Sequence, residues 1–392
     1  MKILLIIGTR PEAIKMAPVY KALRVLAGVE PVVCATAQHR DMLDQVLELF
    51  DIQPDIDLNV MQLGQDLYDV TTAVLGGMRD VFRNVQPDKI VVQGDTTTVM
   101  AASLAAFYEQ IPVGHVEAGL RTGNMFAPFP EEMNRRVTSV IAAQHFAPTD
   151  HARNALMREG VPEEKIHVTG NTVIDALKSI VARLAGDQSL CRRMEEQFPW
   201  ATTDRGIILV TGHRRENFGE GFRNICDALR RLAERDDVEI VYPVHLNPNV
   251  RGPVTERLSG KANIHLIPPQ DYLSFVYLMD RSHLIVTDSG GVQEEAPSLG
   301  KPVLVMREVT ERPEAVESGA VQLVGTDPDR IVAETVRLVE DVEHYESVAR
   351  VRDIYGDGRA GERISRLLAD PSAEVAPWQP TETDDAIKRC IR

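Results

Sequence analysis

The chain has only four cysteines in 392 residues, Cys34, Cys191, Cys226 and Cys390, and no two of them form a C-x-x-C pair. Neither a disulfide framework nor a cysteine zinc cluster is expected, and a reducing compartment fits. Excess basic charge is absent too, the formal net charge being -15. That argues against nucleic-acid binding and against anionic membrane surfaces, since both need a basic footprint. No apolar run approaches the ~20 residues of a membrane span. The opening MKILLIIG is apolar like a leader, but the run is too short, and Arg10, Glu12 and Lys15 follow at once. The expectation is a cytoplasmic protein with no membrane and no nucleic-acid partner. Two fingerprints are also missing. No G-x-G-x-x-G follows the first strand, so a dinucleotide cofactor has no support, and no H-x-x-x-H or similar spacing marks a metal site. No cofactor and no metal are expected.

What is present is 44% hydrophobic and 26% charged, the balance of a soluble globular chain, with length for about two to three domains. The most informative stretch is LIVTDSGGVQEEAPSLGKPVLVMR, residues 284–307. Leu284-Ile285-Val286 is short enough for a buried strand. Thr287-Asp288-Ser289-Gly290-Gly291 breaks it, 292–299 reads as helix, and Gly300-Lys301-Pro302 stops that helix before a strand at 303–305. Strand, glycine turn, helix and strand make half of a doubly wound α/β domain. Gly290 and Gly291 lack the Cβ atoms that block close approach. The N–H groups of a helix start point at the turn, and Ser289 adds a hydroxyl. A phosphate or diphosphate suits this turn; a Ser-capped turn without ligand is the alternative. One turn on, a carboxylate of Glu294 or Glu295 could accept both ribose hydroxyls of a nucleotide. The alternative is a pair of first-turn acids favoured by the helix dipole.

The N-terminal half shows the same pattern. Residues 2–7 read as a buried strand, followed by Gly8-Thr9-Arg10-Pro11-Glu12 and a helix over 13–26. Arg10 lies at the strand's C-terminal end, where open parallel sheets bind ligands. Arg10 and Lys15 are candidates to meet phosphate, with solvated surface cations as the alternative. Strands at 31–36, 89–92 and 112–116 follow, the last two closing on Asp95 and Glu117. Asp95 also suits a helix cap. Arg10, Asp95 and Glu117 nevertheless all fall at the ends of predicted parallel strands and so converge on one edge. After a loop at 123–130, Glu131 and Arg135 are four apart on a helix and share a face. They form an exposed ion pair there, or deliver a carboxylate and a guanidinium to a cleft.

A helix from 173 leads out of this half, and 185–204 reads as irregular. A second strand series starts at 206–211 and runs to 321–324, with His213 just after its first member. The expected architecture is α/β: two Rossmann-like domains, 1–170 and 171–359, facing a central cleft. A final helix at about 360–368 packs back on the first domain, and 369–392 reads as a mobile tail.

These residues together resemble the non-hydrolysing UDP-N-acetylglucosamine 2-epimerases. The resemblance runs from residue 1 to about 368. It rests on GTRPEAIKMAP at 8–18, GDTTT at 94–98, HVEAGLRTG at 115–123, PEEMNR at 130–135, TGHRREN at 211–217, YPVHLNP at 242–248, and the 284–307 stretch. It implies a glycosyltransferase-B type fold, a UDP-sugar in the interdomain cleft and a homodimer. It implies that Arg10, Gln270, Phe275, Ser289, Gly290, Gly291, Glu295 and Arg312 hold UDP, and that Asp95, Glu117, Glu131 and His213 serve catalysis. Lys15 and Arg135 join the substrate-binding set by their placement. Some relatives hold a second, regulatory UDP-N-acetylglucosamine near Gln38 and His39 with a basic residue close to position 64. Gly64 stands here, without that charge.

The implied activity is reversible inversion at C2 between UDP-N-acetylglucosamine and UDP-N-acetylmannosamine, a precursor of surface polysaccharide. The C2 proton has no adjacent carbonyl and is not acidic. Oxidation at C3 would need the nicotinamide site that is missing. The other route expels UDP from C1 as a base removes the C2 proton, giving a 2-acetamidoglucal, and then adds UDP back after protonation on the other face. Ser289-Gly290-Gly291 and Arg10 can carry the diphosphate charge. Two of Asp95, Glu117 and Glu131 then serve as opposed base and acid, with the third orienting them. His213 stands near the diphosphate or carries a proton. A retaining glycosyltransferase would need an acceptor, and a hydrolysing epimerase would release free N-acetylmannosamine. A silent UDP-sugar sensor would not need three carboxylates at element ends.

Overall fold

The computed structural model describes residues 1–36, 40–60 and 64–382. The chain divides into two compact units, 1–176 with 355–379, and 177–354 with the residues from 380. It passes between them a few residues from the expected boundaries at 170/171 and 359/360. Gln38 and His39 lie outside the described residues.

The first unit holds a parallel sheet of β1 (Lys2–Ile7), β2 (Glu30–Ala35), β3 (Ile56–Asp57), β4 (Lys89–Gln93), β5 (Val113–Val116), β6 (Gln144–Ala147) and β7 (Ile166–Val168). Their spatial order is β3-β2-β1-β4-β5-β6-β7. Leu4, Leu5, Ile90 and Val91 are fully buried, as strands covered by helices on both faces must be. The order reverses between β1 and β4, and that switch point is where such sheets bind ligands. The helix Arg10–Arg24 leaves β1 through a capping box. Thr9 Oγ1 accepts from Glu12 N at 3.5 Å, and the Glu12 carboxylate accepts from Gly8 N at 2.5 Å and Thr9 N at 3.3 Å. The helix Ala360–Ala369 packs on Arg10–Arg24.

The second unit holds β8 (Gly206–Thr211), β9 (Val238–Pro243), β10 (Ile264–Ile267), β11 (Leu284–Thr287), β12 (Val303–Val305) and β13 (Val321–Leu323). They are ordered β10-β9-β8-β11-β12-β13, again with a switch point, between β8 and β11.

Three expectations need correction. The stretch 185–204 is not irregular. It contains a helix, Gln188–Gln197, capped by Asp187 and burying Leu190, Cys191 and Met194; its polar residues cover the outer face and mask the stripe. The run 292–299 is an α-helix already from Gly290, and it tightens into a 3-10 turn at Ala296–Leu299, because Pro297 has no N–H to give. The tail is packed as far as it is described. Trp378 is 3% exposed, and β15 (Thr381–Glu382) pairs antiparallel with β14 (Arg352–Asp353). A single large aromatic can anchor a segment that carries no periodicity. Among the described residues no helix is long and apolar enough to cross a membrane.

Candidate active site

In the first unit the polar residues gather where β1, β4 and β5 end. β5 delivers Glu117, which takes a left-handed backbone conformation at φ 62°. Such strain in a non-glycine residue persists only where the surroundings over-determine it, and here they do. Lys15 Nζ lies 2.6 and 2.7 Å from the two Glu117 oxygens. Gln93 Nε2 donates to Oε2, and Asn171 Nδ2 donates to Oε1 at 3.3 Å. Glu117 is 8% exposed, and its carboxylate is surrounded by donors, the Lys15 ammonium among them.

Asp95 follows β4. It is not the cap of the next helix, since Thr96 takes that role by accepting from Val99 N at 3.3 Å. Its carboxylate instead meets Arg135 Nη2 at 2.5 Å, while its carbonyl accepts from Asn134 Nδ2 at 2.9 Å. The expected pairing of Glu131 with Arg135 is therefore replaced. Arg135 turns to Asp95 and, at 3.5 Å, to Glu132. Glu132 is fully buried and accepts from Thr122 N and Gly123 N at 3.1 and 3.3 Å, fastening the helix Glu131–Ile141 to the loop before it. Glu131 is left with a buried Oε2 that has no hydrogen-bond partner. Beneath Asp95, His115 Nε2 lies 2.7 Å from Gly94 O. Burial pushes that imidazole down to about 4, so at neutral pH it is uncharged and donates from Nε2. Arg10 is the first residue of its helix and is partly exposed at the same strand end.

In the second unit the corresponding edge is organised by Asp288, a residue that sequence reasoning did not single out. It follows β11 directly and is completely buried. Its carboxylate accepts from the backbone N–H of His213 at 2.9 and 3.1 Å, of Arg214 at 2.9 Å, and from Asn217 Nδ2 at 3.3 Å. Asp288 Oδ1 also lies 3.4 Å from His213 Nδ1. The loop after β8 is thereby tied to the turn after β11, across the switch point. Burial, above all, lowers the His213 pKa below its ordinary value, against the pull of Asp288. The only signal for Asp288 in the sequence is an acid at the end of an apolar run.

Ser289 follows as the N-cap of the helix Gly290–Glu295 and makes no side-chain capping bond. Gly290 lies directly under the Arg312 guanidinium. A Cβ there would stand 2.9 Å from Arg312 Cζ and 3.0 Å from Nη1. The guanidinium is held in place by Glu294 Oε1, 2.9 Å from Nε and 2.8 Å from Nη2. Of the two acids weighed for a ribose, Glu294 is thus engaged by Arg312, and Glu295 Oε2 accepts from Tyr272 Oη at 2.8 Å. Tyr272 opens the helix Tyr272–Arg281, which carries Phe275 and is preceded by Gln270. The contact with Tyr272 places that helix start beside Gly291 and Glu295. Among the described residues no cluster of three His, Cys, Asp or Glu side chains is arranged to hold a metal ion.

Two Rossmann-like units, each with its polar residues at its own switch point, have the architecture of the glycosyltransferase-B class. A family model described as UDP-N-acetylglucosamine 2-epimerase matches residues 21–369, and the chain belongs to that family. It is 59% identical over 368 residues to the "Probable UDP-N-acetylglucosamine 2-epimerase" of Ralstonia solanacearum, covering 94% of this chain and 98% of that one. It is 56% identical over 369 residues to the UDP-N-acetylglucosamine 2-epimerase of Salmonella typhimurium, with the same coverage of each. Among solved structures it resembles the Neisseria meningitidis UDP-GlcNAc 2-epimerase bound to UDP-GlcNAc, with TM-score 0.90, 52% identity, and coverage of 94% of this chain and 100% of that one.

Proposed function

We propose that the chain interconverts UDP-N-acetylglucosamine and UDP-N-acetylmannosamine by eliminating UDP to a 2-acetamidoglucal and adding it back. The reading is carried by the two switch points, one furnished with carboxylates and the other with a helix start backed by an arginine. The bound UDP-GlcNAc of the Neisseria relative supports the substrate. In elimination a carboxylate takes the C2 proton, the C–H electron pair becomes the C1=C2 bond, and the C1–O bond breaks with its electrons leaving on the diphosphate. Ser289, the N–H groups at Gly290 and Gly291, Arg312 and Arg10 receive that charge. Gln270, Phe275 and Glu295 hold the nucleoside. In re-addition a proton reaches C2 from the opposite face and the diphosphate oxygen attacks C1.

Asp95, whose carboxylate meets Arg135, and Glu131, with its unpartnered oxygen, serve as the two proton carriers. Glu117 is the fixed charge that holds Lys15 in place. His213, set by Asp288, stands at the diphosphate. A homodimer working in the cytoplasm and supplying N-acetylmannosamine units for surface polysaccharide completes the reading.

Proton NMR of UDP-N-acetylglucosamine with the purified protein in D2O tests the proposal. The expected result is UDP-N-acetylmannosamine with deuterium at C2 and traces of UDP and the glycal. A spectrum that stays unchanged would overturn it.

A further inference from the structure

The segment after residue 369 lies beyond the family match. Its packing is nevertheless specific. Trp378 is 3% exposed, and its backbone N–H donates to Val168 O at 3.0 Å, prolonging the hydrogen bonding at the end of the edge strand β7. The indole lies against Gly170. A Cβ there would stand 3.5 Å from Trp378 Cγ and 3.2 Å from Gly356 Cα, and the backbone has φ +83°. Only glycine suits a position closed on two sides and left-handed.

The next residue is Asn171, 2% exposed. Its N–H donates to Tyr355 O at 2.5 Å, its Oδ1 accepts from Val173 N at 3.1 Å, and its Nδ2 donates to Glu117 Oε1 at 3.3 Å. Trp378, Gly170, Asn171 and Glu117 thus form a continuous chain of contacts within the first unit. We infer that the appended segment is a strap, and that Trp378 is a positioning residue that holds the Gly170–Asn171 corner so that Asn171 keeps Glu117 in register. The inference rests on the epimerase reading and extends it to the segment that follows the family match.

The indole acts by packing. Its Nε1 is buried and has no hydrogen-bond partner, so phenylalanine should replace it without loss. Removing the ring should free the corner and weaken one hydrogen bond to a charged group. Weakening that bond without losing it corresponds to about a three- to tenfold change in turnover.

The test compares the full chain with W378A, W378F, N171A, W378A/N171A and a chain ending at Asp370, measuring kcat and KM for UDP-N-acetylglucosamine and amide hydrogen exchange over 168–172. The expected result is a kcat lowered about three- to tenfold in W378A and in the shortened chain, with KM within about twofold. W378F should match the full chain, and the Asn171 amide should exchange faster in W378A. In the N171A background, W378A should add nothing, because both changes remove the same link. A wild-type kcat in W378A, or a W378A effect of full size in N171A, would overturn the inference. If the full chain does not turn over the sugar, the epimerase reading fails separately, and unchanged exchange at 168–172 in W378A would still sink the strap.

Discussion

Replacing Gly290 by alanine asks whether the helix start and Arg312 form one diphosphate seat. The added methyl would sit 2.9 Å from Arg312 Cζ and 3.0 Å from Nη1, where relaxed carbon contacts need about 3.5 Å or more. The guanidinium must therefore move by several tenths of an ångström. It is anchored by two contacts to Glu294, at 2.8 and 2.9 Å, and Glu294 is 1% exposed. Displacement weakens charge-assisted bonds worth about 1.5–3 kcal/mol each. Loss of one corresponds to about a ten- to hundredfold loss of UDP affinity. Opposing this, alanine favours helix over glycine by about 1 kcal/mol, so global stability should stay within about that amount of wild type. Titration calorimetry with UDP reads the affinity, and denaturant unfolding reads the stability. Wild-type affinity for UDP in G290A would refute the reasoning.

The remaining predictions concern the other anchors. D288N turns an amide toward the backbone N–H groups of His213 and Arg214, now accepted at 2.9 Å. It should lower kcat about ten- to hundredfold by unsettling His213, and equal turnover with intact circular dichroism would count against that role. E117Q keeps the shape but removes the charge opposite Lys15. Its kcat should fall about a hundredfold or more, and near-wild-type progress curves in the NMR assay would sink the assignment. Glu12 has its pKa raised from 4.5 to about 7, chiefly by burial, and its Oε1 has no partner. The native state thus holds this proton more tightly than the unfolded chain does. The group's contribution to stability is complete below pH 4.5 and is lost as pH rises through 7. E12Q should match wild type near pH 5 and exceed it at pH 8 by on the order of 3 kcal/mol in urea unfolding; an equal difference at both pH values would contradict this.

Much of the molecule follows from local sequence. Buried parallel strands must be apolar throughout, so runs such as Ile3 to Ile7 and Leu284 to Thr287 declare themselves, and the residues just after them fall at the C-terminal edge of the sheet whatever the rest of the fold does. That is why Arg10, Asp95, Glu117 and Ser289 could be singled out in order along the chain. The amphipathic helix Gln188–Gln197 was hidden because its buried stripe is only three residues wide. Which polar groups meet is a different matter, since it depends on side chains brought together from distant positions. Asn171 reaches Glu117 across 54 residues and His213 reaches Asp288 across 75, and no periodicity records such separations. Arg135 had Glu131 one helical turn away and turned instead to Asp95, 40 positions back, because tertiary packing put that carboxylate closer. The tail shows the same limit. Composition alone gives it no reason to pack, but within its described part the Trp378 indole is buried against Gly170, and only the folded chain provides that seat.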